Sequence, residues 1–401
     1  MQLEKFFRYV NIASQSDARV KTLPSSEGQY ALALMLKKEL EELGLSDILL
    51  QENAILTARL AGNSPKKSLG FCAHLDTVDV GLSPAIKPQI LKFVGKPLCL
   101  NAKRQIFIDP KERPELLKYL NEDIIFSDGT SVLGADNKAA IATIMTLLEF
   151  LVRHNSPRGD IWVSFVPDEE IGLLGSKALD LNLFKPDFAY TIDCCALGEF
   201  NYETFNAAQA RIEITGISAH PMNAKGLLLN PVLIAMDLIA CFDRLETPEN
   251  TEGRQGYIWV QELFAHQSRA QINLSIRDHD RVRFEERKDY VKEVLSWMQK
   301  RYPKAHFFLD LEDSYANIKE SMNTHNEEAI RLLERAFELC GVEKKPFAMR
   351  GGTDGSALSA KGLFTPNFFT GAHNFHCAFE FLPLSSFYKS FEVAKNLVFL
   401  S

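Results

Sequence analysis

Apolar runs of strand length, each ending abruptly in an acid or an imidazole, recur along this chain and limit the folds open to it. Residues 161–166, Ile-Trp-Val-Ser-Phe-Val, carry no charge and run into Pro167-Asp168-Glu169-Glu170. An uncharged run of that length, closed by a proline, reads as a buried strand. Residues 68–73 form a second such run and end in His74-Leu75-Asp76, and residues 189–192 form a third and end in Asp193. Helical stretches separate the runs, and open α/β sheets carry their sites beyond the strand ends. The pattern therefore predicts an α/β fold, a central mixed sheet flanked by helices, with polar residues gathered at the strand ends.

The residues at those ends suit metal and proton chemistry. Adjacent side chains point in different directions, so Glu169 and Glu170 can serve two tasks, one binding a metal and the other handling a proton. A solvated acidic pair gives the same pattern. His74 and Asp76 fall on one side of an extended chain, and a metal-binding imidazole is commonly held by a carboxylate that accepts its other N–H. A buried His–Asp pair with a structural role fits that spacing equally well. Asp136 follows a glycine-marked turn and opens an Ala/Ile/Leu-rich stretch that reads as a helix to about Val152, where an N-cap is the alternative role. Near the C-terminus, His373-Asn374-Phe375-His376 follows the turn-rich segment 350–356. Gly351, Gly352 and Gly355 are no phosphate loop, because no Gly-Lys-Ser/Thr follows them.

Taken in order, HLDT (74–77), GADNKA (134–139), PDEEIG (167–172), TID (191–193), GISAHP (216–221), RGGTDGS (350–356) and NFHCAFE (374–380) resemble the peptidase T family. That family comprises dinuclear zinc tripeptidases of the superfamily that includes carboxypeptidase G and succinyl-diaminopimelate desuccinylase. The segments LPSSEGQ (23–29), YETFNAA (202–208), TPENTEG (247–253), IRDHDR (276–281) and LEDSYAN (311–317) extend the likeness over essentially the whole chain. The resemblance implies two Zn²⁺ per chain, with Co²⁺ or Mn²⁺ as possible substitutes. His74 and Asp193 would hold one ion, Glu170 and His376 the other, and Asp136 would bridge both. Glu169 would be the general base and Asp76 the partner that orients His74. His220 would face the oxyanion, although a solvated loop histidine before a proline is the plain alternative. Arg277, Arg350 and Asn206 resemble substrate-gripping positions, where surface or inter-domain ion pairs are equally open.

The implied function is hydrolysis of the N-terminal peptide bond of short peptides. A related dipeptidase, carboxypeptidase or N-acyl-amino-acid deacylase would use the same metals. A non-catalytic metal-binding homologue is disfavoured because Glu169 and every ligand are present. The chain departs from the family pattern where Cys194, Cys195, Met222 and Cys377 replace glycines, and where Asn137 and Ala140 replace an aspartate and a glycine. Several of these add bulk, so the metal chemistry reads as retained while the tripeptidase specificity is open.

Domain limits follow from a change of pattern near residue 204. Segments in the order β-α-β-β-α-β fill residues 204–316 and describe a ferredoxin-like unit. The resemblance makes it a lid and dimerisation domain inserted between catalytic segments 1–203 and 317–401, and allows a homodimer through the lid. Residues 80–125, rich in Lys and Pro, read as a hairpin excursion. With 45 basic and 52 acidic residues and a net charge of −7, there is no polyelectrolyte surface for nucleic acid. No apolar run reaches membrane length. The N-terminus mixes both charges and is no signal peptide. Seven cysteines without framework spacing suit a reducing cytoplasm.

Overall fold

The three apolar runs become neighbouring strands. The computed structural model describes residues 1–401. It opens with α1 (Gln2–Val10), α2 (Glu27–Glu42), β1 (Ser46–Leu50), β2 (Leu56–Leu60) and β3 (Leu69–His74). Strands β4 (Gln89–Lys92), β5 (Leu98–Asn101), β6 (Ile106–Ile108) and β7 (Asp123–Phe126) lead to α3 (Ala135–His154) and β8 (Ile161–Val166). The short α4 (Leu174–Ala178), β9 (Phe188–Cys194) and β10 (Glu199–Asn201) follow. Next come β11 (Asn206–Thr215), α5 (Pro231–Ile239), β12 (Tyr257–His266), β13 (Arg269–Asp278), α6 (Arg281–Arg301) and β14 (His306–Tyr315). The chain closes with α7 (Glu328–Leu339), β15 (Lys345–Pro346), α8 (Asp354–Ala360), β16 (Asn367–Phe369), β17 (Phe381–Pro383) and α9 (Leu384–Leu400).

Two compact units emerge. The first combines Met1–Tyr202, Ile318–Phe347 and Thr353–Ser401, and the second Glu203–Asn317 with Ala348–Gly352. In the first, eight strands form a mixed sheet in the order β1-β2-β8-β3-β9-β16-β10-β15. Its centre, β8-β3-β9-β16, is parallel throughout, so those four strands end along one edge. Every residue of β3 is buried, as its uncharged sequence requires of a strand covered on both faces. Helix α3 is buried from Ala135 to Glu149 and again at Leu151, and it packs against α1 and α9 as well as the sheet. A helix apolar on all sides belongs in such an interior position.

Residues 80–125 build more than a hairpin. Strands β4 and β7 pair antiparallel, and β7 pairs in turn with the distant β17. Phe93, Leu100, Ile108, Leu116, Tyr119, Ile124 and Phe126 make a separate small core with Phe381. The third strand lies far away in sequence, so no local turn signal announces it.

The second unit is an antiparallel sheet in the order β12-β13-β11-β14. Along β11, Ala208, Ala210, Ile212 and Ile214 are buried while Gln209 and Arg211 face outward. The inward set meets Ile234 and Leu238 of α5 and Phe284, Val291 and Met298 of α6. Helix α5 is shorter than its apolar sequence suggests. Asn230 caps it by accepting from the Val232 N–H, and Pro231 fits the first turn. Residues 348–352, which fall within the expected catalytic segment 317–401, group with this unit. The Met349 N–H donates to the Glu203 carbonyl at 2.9 Å, and Arg350 Nη1 donates to the Gln255 carbonyl at 2.8 Å. No helix is long and apolar enough to cross a membrane.

Gly70 sits in β3 where neighbouring side chains close in. An added Cβ would lie 2.6 Å from Pro186 Cγ, 2.7 Å from Phe184 Cζ and 2.9 Å from Ala189 Cβ. Overpacking of this kind costs about 1–3 kcal/mol. Gly70→Ala should lower the urea midpoint by a corresponding amount with an unchanged slope, and an unaltered midpoint would refute the tight packing.

Candidate metal centre

Five chain segments bring acids and imidazoles together at the shared edge of the central strands. His74 is the last residue of β3, Asp193 lies at the end of β9, and Glu169 and Glu170 follow β8. Asp136 stands at the start of α3, but its backbone is not helical (φ −81°, ψ 99°) and its side chain makes no capping bond. Its carboxylate is thereby released from the N-cap role. His376 lies between β16 and β17, with φ +60°.

Asp136 is the meeting point. Its Oδ1 is 2.9 Å from His74 Nε2 and its Oδ2 is 3.1 Å from His376 Nε2. His74 Nε2 is also 3.9 Å from Asp193 Oδ1, and His376 Nε2 is 2.9 Å from Glu170 Oε1. Two triads therefore share Asp136. One is His74–Asp136–Asp193 and the other Asp136–Glu170–His376, and within each the donor atoms lie within 4.8 Å of one another. Glu169 forms an overlapping set with His74 and Glu170.

Other buried groups hold this arrangement. His74 Nδ1 lies 3.1 Å from the Asp76 carbonyl and 3.3 Å from Asp76 Oδ1. The Asp76 carboxylate also accepts the N–H groups of Glu169 (3.0 Å) and Glu170 (3.2 Å), so it ties the β3 end to the acidic pair. Asn137 Nδ2 donates to Asp193 Oδ1 at 2.8 Å. Glu380 accepts from the N–H groups of Leu133, Gly134 and Asp136 at 2.7, 2.9 and 3.1 Å and shapes the turn before α3. Asp168, beside the acidic pair and at φ +55°, accepts from Ser25 N, Ser25 Oγ and Gln29 Nε2, while its own N–H donates to Gln29 Oε1. Sequence reasoning assigned no role to Ser25, Gln29, Asp168 or Glu380. Membership in LPSSEGQ, PDEEIG and NFHCAFE was their only signal.

The electrostatics show what the cluster lacks. Four carboxylates, Asp136, Glu169, Glu170 and Asp193, face two imidazoles in a largely buried space. Burial, reinforced by Asp136, pushes Glu170 up to about 7. Burial also pushes Asp193 and Glu169 well above the carboxylate range, against the pull of His74. Asp136 is held low because His376 and His74 outweigh its burial. Glu170 Oε1 is buried without a hydrogen-bond partner, since its contact with His376 lacks hydrogen-bond alignment. Divalent cations suit this excess of acid, and imidazole nitrogen with carboxylate oxygen is an ordinary zinc donor set. The residues present fit such a pair of ions.

The remaining predicted residues belong to the second unit. His220 is exposed and its Nδ1 accepts from the Met222 N–H at 3.2 Å. Asn206 is buried, donating to the His279 carbonyl and accepting from the Asn317 N–H. Arg277 donates to the carbonyls of Ala208 and Ile276. Arg350 bonds residues 251–255 and lies over the rings of Phe205 and Tyr257. His373 is not part of the cluster. It is buried, its ring stacks on Phe381 with centroids 4.8 Å apart, and its Nε2 lies 2.7 Å from Tyr119 Oη.

A family profile described as a peptidase dimerisation domain matches residues 202–306, and one described as M42 glutamyl aminopeptidase matches residues 122–217. The chain is 54% identical to a peptidase T-like protein of Yersinia pestis, covering 98% of this chain and 96% of the relative. It is 40% identical to peptidase T of Caldanaerobacter subterraneus subsp. tengcongensis, covering 99% and 97%. The crystal structure of a tripeptidase from Staphylococcus aureus superposes with a TM-score of 0.78 at 20% identity, covering 100% of this chain and 97% of that one. A dinuclear metal-binding peptidase of the M20 family from Bacillus subtilis superposes with a TM-score of 0.66 at 13% identity, covering 99% and 98%. At those identities the two structures establish a shared fold.

Burial, with a smaller push from Lys118, lowers the pKa of His373 to about 4. Its unfolded value is near 6.5. Between the two, the unfolded chain binds more protons, so stability must fall as pH drops from about 6.5 to 4, by up to roughly 3 kcal/mol. Denaturant unfolding across that range should show the loss, and His373→Gln should flatten it. An identical pH slope in the variant would refute a neutral buried His373.

Proposed function

This chain belongs to the peptidase T family, and on that premise we propose that it is an aminopeptidase of short peptides working with two zinc ions. The observation that carries the reading is the carboxylate of Asp136, whose two oxygens face the Nε2 atoms of two different histidines. His74 and Asp193 would hold one ion, Glu170 and His376 the other, and Asp136 would be shared between them. Zinc, when bound, polarises the scissile carbonyl and brings the pKa of water toward neutrality.

The chain's own groups do the rest. Glu169 accepts the proton of the attacking water and returns it to the leaving amine. Asp76 keeps His74 oriented and fixes the backbone of the acidic pair, so Glu169 cannot drift from the reacting centre. In this reading His220 would face the oxyanion and Arg277 and Arg350 would grip the substrate, a bidentate guanidinium suiting a peptide carboxylate. Asn206, expected to join them, is instead fully buried with its amide bonded to His279 and Asn317. The second unit, which the dimerisation profile matches, supports a homodimer through that unit. Seven unpaired cysteines support a reducing compartment such as the cytoplasm.

Specificity turns on the bulkier residues. Cys194 is buried with its Sγ accepting from Asn201, and Met222 is 81% exposed. Cys195 and Cys377 are half-buried, and burial beside Glu199 and Asp136 keeps Cys195 a neutral thiol. Side-chain preference is therefore expected to be narrower than that of peptidase T. Di-, tri- and tetrapeptides with free and blocked N-termini, assayed with zinc, cobalt and manganese, test this. Efficient cleavage of N-acyl amino acids with tripeptides untouched would establish a deacylase instead.

Two substitutions separate the roles of the acidic pair. Glu169→Gln should retain both ions and peptide affinity while turnover falls by about 10²–10⁴-fold. Glu170→Gln should lose one ion, with activity partly restored by excess zinc. The reverse pattern in metal content would exchange the two roles. Asp136→Asn should weaken both sites together, and a variant that keeps two tightly bound ions would rule out a bridge.

A further inference from the structure

The loop that carries His376 differs from the supports of the other donors. His74 and Asp193 sit on central strands, Asp136 begins a buried helix, and Glu170 is bonded through its N–H to Asp76. His376 lies on a loop with two non-glycine residues in the left-handed region, Asn374 at φ +58° and His376 at φ +60°. The acidic pair is flanked by two as well, Asp168 and Leu173, but the Asp76 carboxylate holds its backbone and no such bond reaches His376. Such conformations persist where surrounding contacts over-determine them. The His376 side chain is also 46% exposed, so packing alone does not fix it.

The over-determining contacts come from the excursion at residues 80–125. At its base the loop is closed by two backbone bonds between His373 and Phe381, of 2.9 and 3.1 Å. Phe381 stands in register with Phe126 of β7. Three side chains from the 3-10 helix Pro114–Tyr119 and the residue before it then grip the loop. Glu115 Oε1 accepts from Asn374 Nδ2 at 2.7 Å. Tyr119 Oη lies 2.7 Å from His373 Nε2, with its ring edge-on to both His373 and Phe381. The Arg113 guanidinium lies 5.4 Å from the centroid of Phe379.

Resting on the dinuclear reading above, we infer that Glu115 and Tyr119 are positioning residues for His376, and that the excursion sets the affinity of the metal site His376 shares with Glu170 and Asp136. Neither residue belongs to the groups of metal-binding side chains. They act by fixing the two left-handed residues of a loop that has no strand or helix of its own to hold it. The site built on His74 and Asp193 has no such dependence, so the two affinities should separate when the brace is removed.

The test is stepwise loading of metal-free protein with Co²⁺. Visible absorption follows occupancy, and chelator competition gives the two affinities. Tyr119→Phe removes one hydroxyl and keeps the ring, and Glu115→Ala removes the acceptor for Asn374. Each should leave one site at wild-type affinity and weaken the other by roughly 10–100-fold, the range for partners that orient ligands from outside the coordination sphere. Glu115→Gln keeps a carbonyl acceptor and should restore the second site. If Glu115→Ala does not fold, Tyr119→Phe alone decides. Retention of both sites at wild-type affinity, or equal weakening of both, overturns the inference. Wild-type protein that takes up fewer than two ions overturns the dinuclear reading itself, an outcome visible before any variant is compared.

Discussion

One buried carboxylate sets the terms for the rest of the molecule. Asp136 divides its two oxygens between imidazoles that arrive from residues 74 and 376, and three further acids crowd the same space. Like charges at that density are costly away from water. The scaffold must therefore hold these side chains against their mutual repulsion. The parallel run β8-β3-β9-β16 does this by ending four strands on one edge. Asp76 then links the ends of β3 and β8, and Asn137 links the start of α3 to Asp193. An aspartate at 137 could not donate as Asn137 does. Asn137 thus supplies a neutral donor where another acid would deepen the charge excess.

Much of this was legible in the sequence, for a physical reason. Strands β3, β8 and β9 are buried on both faces, so their uncharged runs and sharp ends survive as a pattern without any partner being known. Alternation along β11 was equally plain because one face of that sheet is covered and the other is not. What escaped was long-range. Ser25 and Gln29 meet Asp168, Tyr119 meets His373, and β7 pairs with β17, and none of these contacts leaves a local trace. The apolar character of α5 gave no sign of its late start, because that boundary is set by an Asn-Pro cap and not by polarity. His373 and His376 share a motif, yet one stacks in a dry core and the other reaches the acids. Spacing alone does not distinguish them.

Position also sorts the four residues expected from the sequence to reshape the pocket, Cys194, Cys195, Met222 and Cys377. Cys194 is absorbed by packing against the Asn201 amide, and Met222 stands in solvent. Only Cys195 and Cys377 of these four are half-buried. A neutral thiol contributes volume and a weak donor without adding charge, which suits a site already rich in acid.

The spread of the cluster along the chain has a further consequence, for biosynthesis. His74, Asp136, Glu169, Glu170 and Asp193 all precede the second unit, whereas His376 follows it. A nascent or prematurely terminated chain would therefore bring four acids together against a single imidazole and would lack β17, the partner that closes the excursion. Such a chain carries uncompensated buried charge and an open sheet edge, both of which disfavour a stable fold. The late histidine thereby completes the cluster last. Both the second histidine of the cluster and the strand that pairs with β7 therefore come from residues 376–383, far along the chain from everything they complete.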